Sequence, residues 1–246
     1  MVTVLESTQR LKAAGQKGRL FVEIIGTAGA GKSTLFRALE NSDLKIQSEG
    51  LPPVWHFSYI PFFVKNILAL VPMLVRLIGK GDRAISRREL AWMAMLNGWP
   101  EILEKESNKD GEVSLFDQGP IFLIAILTGF GPTSLRCPYT QSWWEKIYRQ
   151  WNEVFDIVIW LDASDEVLIK RINKREEDHL MKGKSIQETV DFLATYRNTY
   201  EGVIKKMTAN NPKIRFLRVD TAINSVDEIV FRVTSELDAW SSEISG

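Results

Sequence analysis

Gly26-Thr27-Ala28-Gly29-Ala30-Gly31-Lys32-Ser33 fits the pattern G-x-x-x-x-G-K-[ST] at every fixed position. The apolar run Leu20, Phe21, Val22, Ile24 and Ile25 precedes it, and a helix-forming segment from Thr34 to Glu40 follows. Strand, glycine-rich loop, then helix is the context in which this pattern builds a phosphate-binding loop. Gly26, Gly29 and Gly31 permit backbone angles that turn successive N–H groups inward at a helix N-terminus. The stretch Gly26, Thr27, Ala28, Gly29, Ala30, Gly31, Lys32, Ser33 and Thr34 is therefore the expected seat of a nucleoside triphosphate. Lys32 should reach the β- and γ-phosphates, and the Ser33 hydroxyl should ligate Mg²⁺. The loop alone does not separate a kinase from a motor ATPase or a GTP switch.

Outward from the loop, short apolar runs that end in acids alternate with helix-like segments. Leu44 to Gln47 reads as a strand ending near Glu49, Glu112 to Asp117 as another, and Phe155 to Leu161 as the clearest buried strand, closed by Asp162. Ile214 to Val219 leads to Asp220. Helices are expected at 61–80, 86–105, 121–127, 140–154, 165–174, 185–207 and 226–240, the second opened by a Ser86/Glu89 capping box. Asn108 to Gly111 reads as a turn. Strands alternating with helices imply an α/β fold of three layers, a five-stranded parallel sheet flanked by helices on both faces. Its ligands would sit at the C-terminal ends of the strands, where Gly26, Glu49, Asp117, Asp162 and Asp220 fall.

The whole chain sets bounds on function. Its 246 residues suit one domain, with residues 1–18 as an N-terminal extension and 50–110 as a helical insert on the acceptor side. Basic and acidic residues balance at 31 each, so net charge offers no case for nucleic-acid binding. One cysteine, Cys137, rules out an internal disulfide and a cysteine-based zinc site, and a reducing, cytoplasmic setting fits. Residues 57–78 are apolar but broken by Pro61, Lys65, Asn66, Pro72 and Arg76, which argues against a transmembrane helix. A buried helix pair or a flap is the expectation. Peripheral membrane contact through Phe62, Phe63, Ile67, Leu70 and Leu74 is the competing reading, and the sequence is equally compatible with a homodimer.

Three further groups carry chemistry. Asp117 can hold Mg²⁺ directly or through its water. Glu49 could take the proton from an attacking hydroxyl. Arg171 and Arg175, four apart, would share one face of a helix and clamp the transferring phosphoryl group from a lid over 170–185.

Taken in order, the loop, Asp117 followed by Gly119-Pro120, Leu161-Asp162-Ala163-Ser164 and Arg171-x-x-x-Arg175-Glu176-Glu177 resemble the P-loop nucleoside and nucleotide kinases, above all deoxynucleoside and thymidylate kinases. The helix bearing Phe192, Tyr196, Arg197, Tyr200 and Glu201 is similar to theirs, as is Val219-Asp220-Thr221, which in the family leads to a loop beside the nucleotide base. The resemblance implies ATP and Mg²⁺ at Lys32 and Ser33, lid arginines at Arg171 and Arg175, a catalytic base at Glu49, and a small-molecule phosphate acceptor. Gln118 departs from it, since the family usually places an acceptor-site arginine after the strand-end acid. Trp55, His56, Phe57, Tyr59, Arg83, Arg87, Arg88, Trp92 and Arg136 are the acceptor-side candidates. A nucleoside or nucleotide is the first expectation for the acceptor. The alternatives are a non-nucleotide hydroxyl on a sugar, lipid-linked alcohol or metabolite, or an NTP-hydrolysing regulator with no acceptor at all.

Overall fold

Side chains alternate across a strand, and β1 (Leu20–Gly26) uses that alternation to build two cores at once. Phe21 and Ile25 enter one apolar cluster, while Leu20, Val22 and Ile24 enter another on the opposite face. This buries both faces of the strand and accounts for its almost unbroken apolar sequence.

The computed structural model describes residues 19–42, 44–51, 57–106, 113–176, 178–211 and 213–245. The N-terminal extension 1–18, the turn at 108–111, Trp55, His56 and Glu177 lie outside the described residues. The strands are β1, β2 (Ile46–Glu49), β3 (Val113–Asp117), β4 (Ile157–Asp162) and β5 (Arg215–Asp220). They form the five-stranded parallel sheet that the sequence predicts, and its strand order is β2-β3-β1-β4-β5. In register, Ile24 lies beside Asp117 and Gly26 beside Leu161. The loop, Asp117 and the end of β4 thereby share one edge of the sheet.

The helices are α1 (Lys32–Glu40), α2 (Ile60–Leu77), α3 (Arg87–Glu106), α4 (Pro120–Gly129), α5 (Gln141–Asn152), α6 (Asp165–Lys174), α7 (Ile186–Asn210) and α8 (Val226–Ser245). The Ser86 capping box forms as expected: the Ser86 hydroxyl accepts from Glu89 N (3.2 Å), and Glu89 accepts from Ser86 N (2.8 Å). Ser185 and Glu188 repeat the arrangement at α7.

The apolar stretch at 57–78 does form half of a helix pair, α2 against α3, but only one face is covered. Phe63, Leu70 and Leu77 are buried, with Phe62, Ile67 and Leu74 packed against the same core. Five residues named as a membrane-contacting set (Phe62, Phe63, Ile67, Leu70 and Leu74) are thus the inward face, which corrects that reading. The outward stripe is Phe57, Ile60, Val64, Leu68, Val71, Val75 and Ile78, with Leu68 63% and Ile78 77% exposed. By length and composition α2 could cross a membrane, but its packed face fixes it on the side of the protein.

Candidate functional site

The loop is shaped by two close constraints. Gly26 has φ +154°, and a Cβ there would lie 2.3 Å from the Leu161 carbonyl oxygen on β4. Gly31, with φ +91°, caps α1 without any side-chain hydrogen bond. The first amides of α1 therefore remain open at the positive end of the helix, which is the local basis of an anion site. Lys32 is half-buried, and its ammonium donates to the carbonyls of Gly26 (2.8 Å) and Thr27 (3.0 Å). Burial in the loop lowers its pKa to about 8; the charge of Asp117 opposes this and that of Arg175 adds to it. Ser33 and Thr34 are exposed at the start of α1.

Of the acids at the strand ends, most are committed to the fold. Asp162 accepts from Arg197 Nε (3.0 and 3.1 Å), from Arg218 (3.3 Å) and from the Ala163 amide (2.9 Å). Asp220 accepts from Ala222 N at 2.8 Å and closes the turn after β5. Glu49 is buried, with Oε1 accepting from Arg19 (2.8 Å) and from the Ser114 hydroxyl (3.1 Å). Its carboxylate thus leans back along β3 toward Ser114, two residues before its register partner Phe116. Asp117 differs: it is half-buried at the end of β3 and has no hydrogen-bond or ion-pair partner among the described residues.

Helix α6 ends at Lys174, and Arg175 is its C-cap with φ −61° and ψ 140°. Arg171 and Arg175, expected on one helical face, therefore do not share one, because the helix stops between them. Their roles in the structure also diverge. Arg171 donates to Thr221 Oγ1 (2.7 Å), Thr221 O (2.8 Å) and Gly29 O (3.3 Å), tying the loop to the turn after β5. Arg175 is exposed; its carbonyl accepts from the Lys182 ammonium (2.6 Å), but its guanidinium has no hydrogen-bond or ion-pair partner among the described residues, and its charge reaches both Lys32 and His179. His179 is held below its ordinary pKa by burial, with Arg175 and Lys32 adding to the effect. The segment after α6 therefore lies over the loop. A cavity of about 430 Å³ opens here, lined by Gly29, Gly31, Thr34, Arg171, Arg175 and Thr221 among others.

Among the residues expected on the acceptor side, Arg83 is bound by Glu89 (2.6 and 2.9 Å) and by the Phe130 carbonyl (3.1 Å). Arg88 lies over the ring of Trp92, and Arg136 donates to the Thr128 carbonyl. A larger cavity, of about 1200 Å³, contains Arg136 and lies between α5 and the end of α7; none of the loop residues lines it.

No protein-family model matches the chain, and no curated protein does. Solved structures do. Deoxyadenosine kinase from M. mycoides with bound dATP superposes with a TM-score of 0.50 and 20% identity, over 89% of this chain and 100% of that one. The same enzyme with products dCMP and a flexible dCDP gives 0.51 and 22% over the same shares. Thymidylate kinase from Candida albicans gives 0.53 and 15%, over 90% of this chain and 92% of that one. The chain has the fold of the P-loop nucleoside and nucleotide kinases.

Within that P-loop kinase fold, sequence reasoning missed two features of the site. Glu23 sits in the middle of β1, fully buried, and accepts from the amides of Ile121 and Phe122 (both 2.9 Å) at the start of α4. Desolvation raises its pKa to about 8 against those hydrogen bonds, with Asp117 adding to the rise. A lone acid inside an apolar strand was the available signal. Gln118, at φ +59°, is the one non-glycine residue with positive φ among the described residues. The backbone just after Asp117 therefore holds an uncommon conformation at the site's edge.

Proposed function

We propose that this chain is an ATP-dependent kinase that moves the γ-phosphoryl group onto a hydroxyl of a small acceptor, a nucleoside or nucleotide first. The observation that carries the reading is the meeting of Lys32, Asp117 and Arg175 at the open end of α1. The charged side-chain groups of the last two have no hydrogen-bond or ion-pair partner among the described residues, and both act electrostatically on Lys32. The P-loop kinase fold supports the same reading.

The donor's phosphates would lie against the amides of Gly29 to Ser33, and its base would enter the cavity beside Thr221 and Arg171. A bound phosphate would draw the Lys32 ammonium off the Gly26 and Thr27 carbonyls. Mg²⁺ suits the oxygen donors available, the exposed Ser33 hydroxyl and the uncommitted Asp117 carboxylate, and when bound it would neutralise phosphate charge. In the transfer, the acceptor oxygen forms a bond to the γ-phosphorus as the bridging oxygen of ADP leaves. Arg175 would stabilise the spread charge, while Arg171 would act by holding the cavity wall. Glu49 is the proposed acceptor of the hydroxyl proton, and it would have to exchange Arg19 for the incoming hydroxyl.

Gln118, standing where the resembled family carries an arginine, favours a second reading in which the acceptor is a non-nucleotide hydroxyl. ADP release from Mg-ATP, followed with a panel of nucleosides, nucleotides, sugars and alcohols, tests both. A marked stimulation by one class supports the kinase and selects the acceptor. Equal turnover with and without every acceptor would point to a hydrolase instead.

A further inference from the structure

We propose that the outward stripe of α2 is a docking surface for an anionic lipid bilayer, lying in its interface rather than crossing it. The helix is 18 residues long, about 27 Å at 1.5 Å per residue. Along it, and in the turn before it, the exposed side chains are apolar apart from Ser58, Lys65 and Arg76. The stripe repeats at spacings of three and four residues, and Pro61, Ala69 and Pro72 widen it. A continuous apolar face of this length on the outside of a folded chain marks an interaction surface.

Charge identifies the occupant. Residues 57–88 carry six basic residues (Lys65, Arg76, Lys80, Arg83, Arg87, Arg88) and one acid, Asp82, in a chain whose total charge is zero. Asp82 is engaged by the Thr133 amide and hydroxyl, and the nearby Glu89 and Glu101 are paired with Arg83 and Lys65. Arg76, Lys80, Arg87 and Arg88 are exposed and have no acidic partner among the described residues. An apolar face with uncompensated cations at its C-terminal end and in the segment that follows fits acyl chains and anionic headgroups together. A second copy fits less well. A two-fold contact would set this face against itself, bringing basic residues toward basic residues with no acid on α2 to meet them.

Flotation of the full chain with vesicles tests this. One set is pure phosphatidylcholine, and the other contains about one-third phosphatidylglycerol, a fraction at which polybasic segments respond to surface charge. Binding to the anionic vesicles, weakened by salt and absent from the neutral ones, is expected. The exposed double substitution Leu68→Asp and Val75→Asp should lower it at least tenfold with unchanged circular dichroism, and Arg76→Glu with Lys80→Glu should lower it on anionic vesicles. No partition of the wild type into anionic vesicles at low salt would overturn the proposal, whether a second copy or residues 1–18 cover the face. So would an unchanged partition of the Leu68/Val75 variant. Light scattering that shows a dimer dissolved by the same variant, without vesicle binding, would reassign the stripe to subunit contact.

Discussion

In the glycine-rich loop, about ten consecutive residues determine both the backbone path and the chemistry. The α2–α3 pair is held by groups far apart in sequence. Asn66 donates to the Phe62 carbonyl (2.9 Å) and accepts from Asn97 (2.9 Å), which accepts in turn from Lys146 (2.7 Å). Gly98 lets the two helices close, since a Cβ there would fall 2.2 Å from Asn66 Nδ2. The first region can be altered chemically with little effect on the fold. The second is scaffold, so changes there should appear as stability before they appear as rate.

Lys32→Ala should give the largest effect, a loss of phosphotransfer on the order of 10³-fold with circular dichroism unchanged. Unfolding by this change would break the distinction between the regions. Arg175→Ala should lower kcat by roughly 10²-fold without altering the melting temperature. Arg171→Ala should also lower the melting temperature, because it removes contacts to Thr221 and Gly29. Equal behaviour of the two variants would contradict the separate roles assigned to them.

Glu23 sharpens the comparison from beneath the loop. Its folded pKa of about 8 lies above the ordinary 4.5, so the folded state holds a proton that the unfolded state releases. Its contribution is fully present below pH 4.5 and is lost as pH rises through 8. In denaturant unfolding, the wild type should therefore lose more stability than Glu23→Gln between pH 5 and pH 8. A parallel pH dependence would exclude the buried proton.

In the scaffold, Gly98→Ala should cost about 1–3 kcal/mol in unfolding free energy and leave kcat per folded molecule unaltered. The smallest effect belongs to Lys32. Below pH 8 its ammonium is charged and meets a triphosphate, whereas above pH 8 binding must take up a proton. Affinity should fall by at most about tenfold per pH unit there, with proton uptake visible by calorimetry in buffers of different ionisation enthalpy.

The loop, the five strands and the Ser86 capping box were legible because each is encoded by neighbours in sequence. Glu23 was legible in principle, as one charge between Val22 and Ile24. The Glu49–Arg19 pair was not, since it needs the register of β2 on β3 and of β3 on β1. Spacing also misled at Arg175, because a four-residue interval places two side chains together only while the helix continues. In α2, apolar residues occupy both faces, so periodicity could not say which one turns inward.

The central claim is that the loop serves transfer to an acceptor. The fate of the label from γ-radiolabelled ATP tests it most directly, in a single turnover with the acceptor selected by ADP release. The account predicts label in the phosphorylated acceptor for the wild type and none for Lys32→Ala. Label appearing as inorganic phosphate at the same rate with and without acceptor would contradict it.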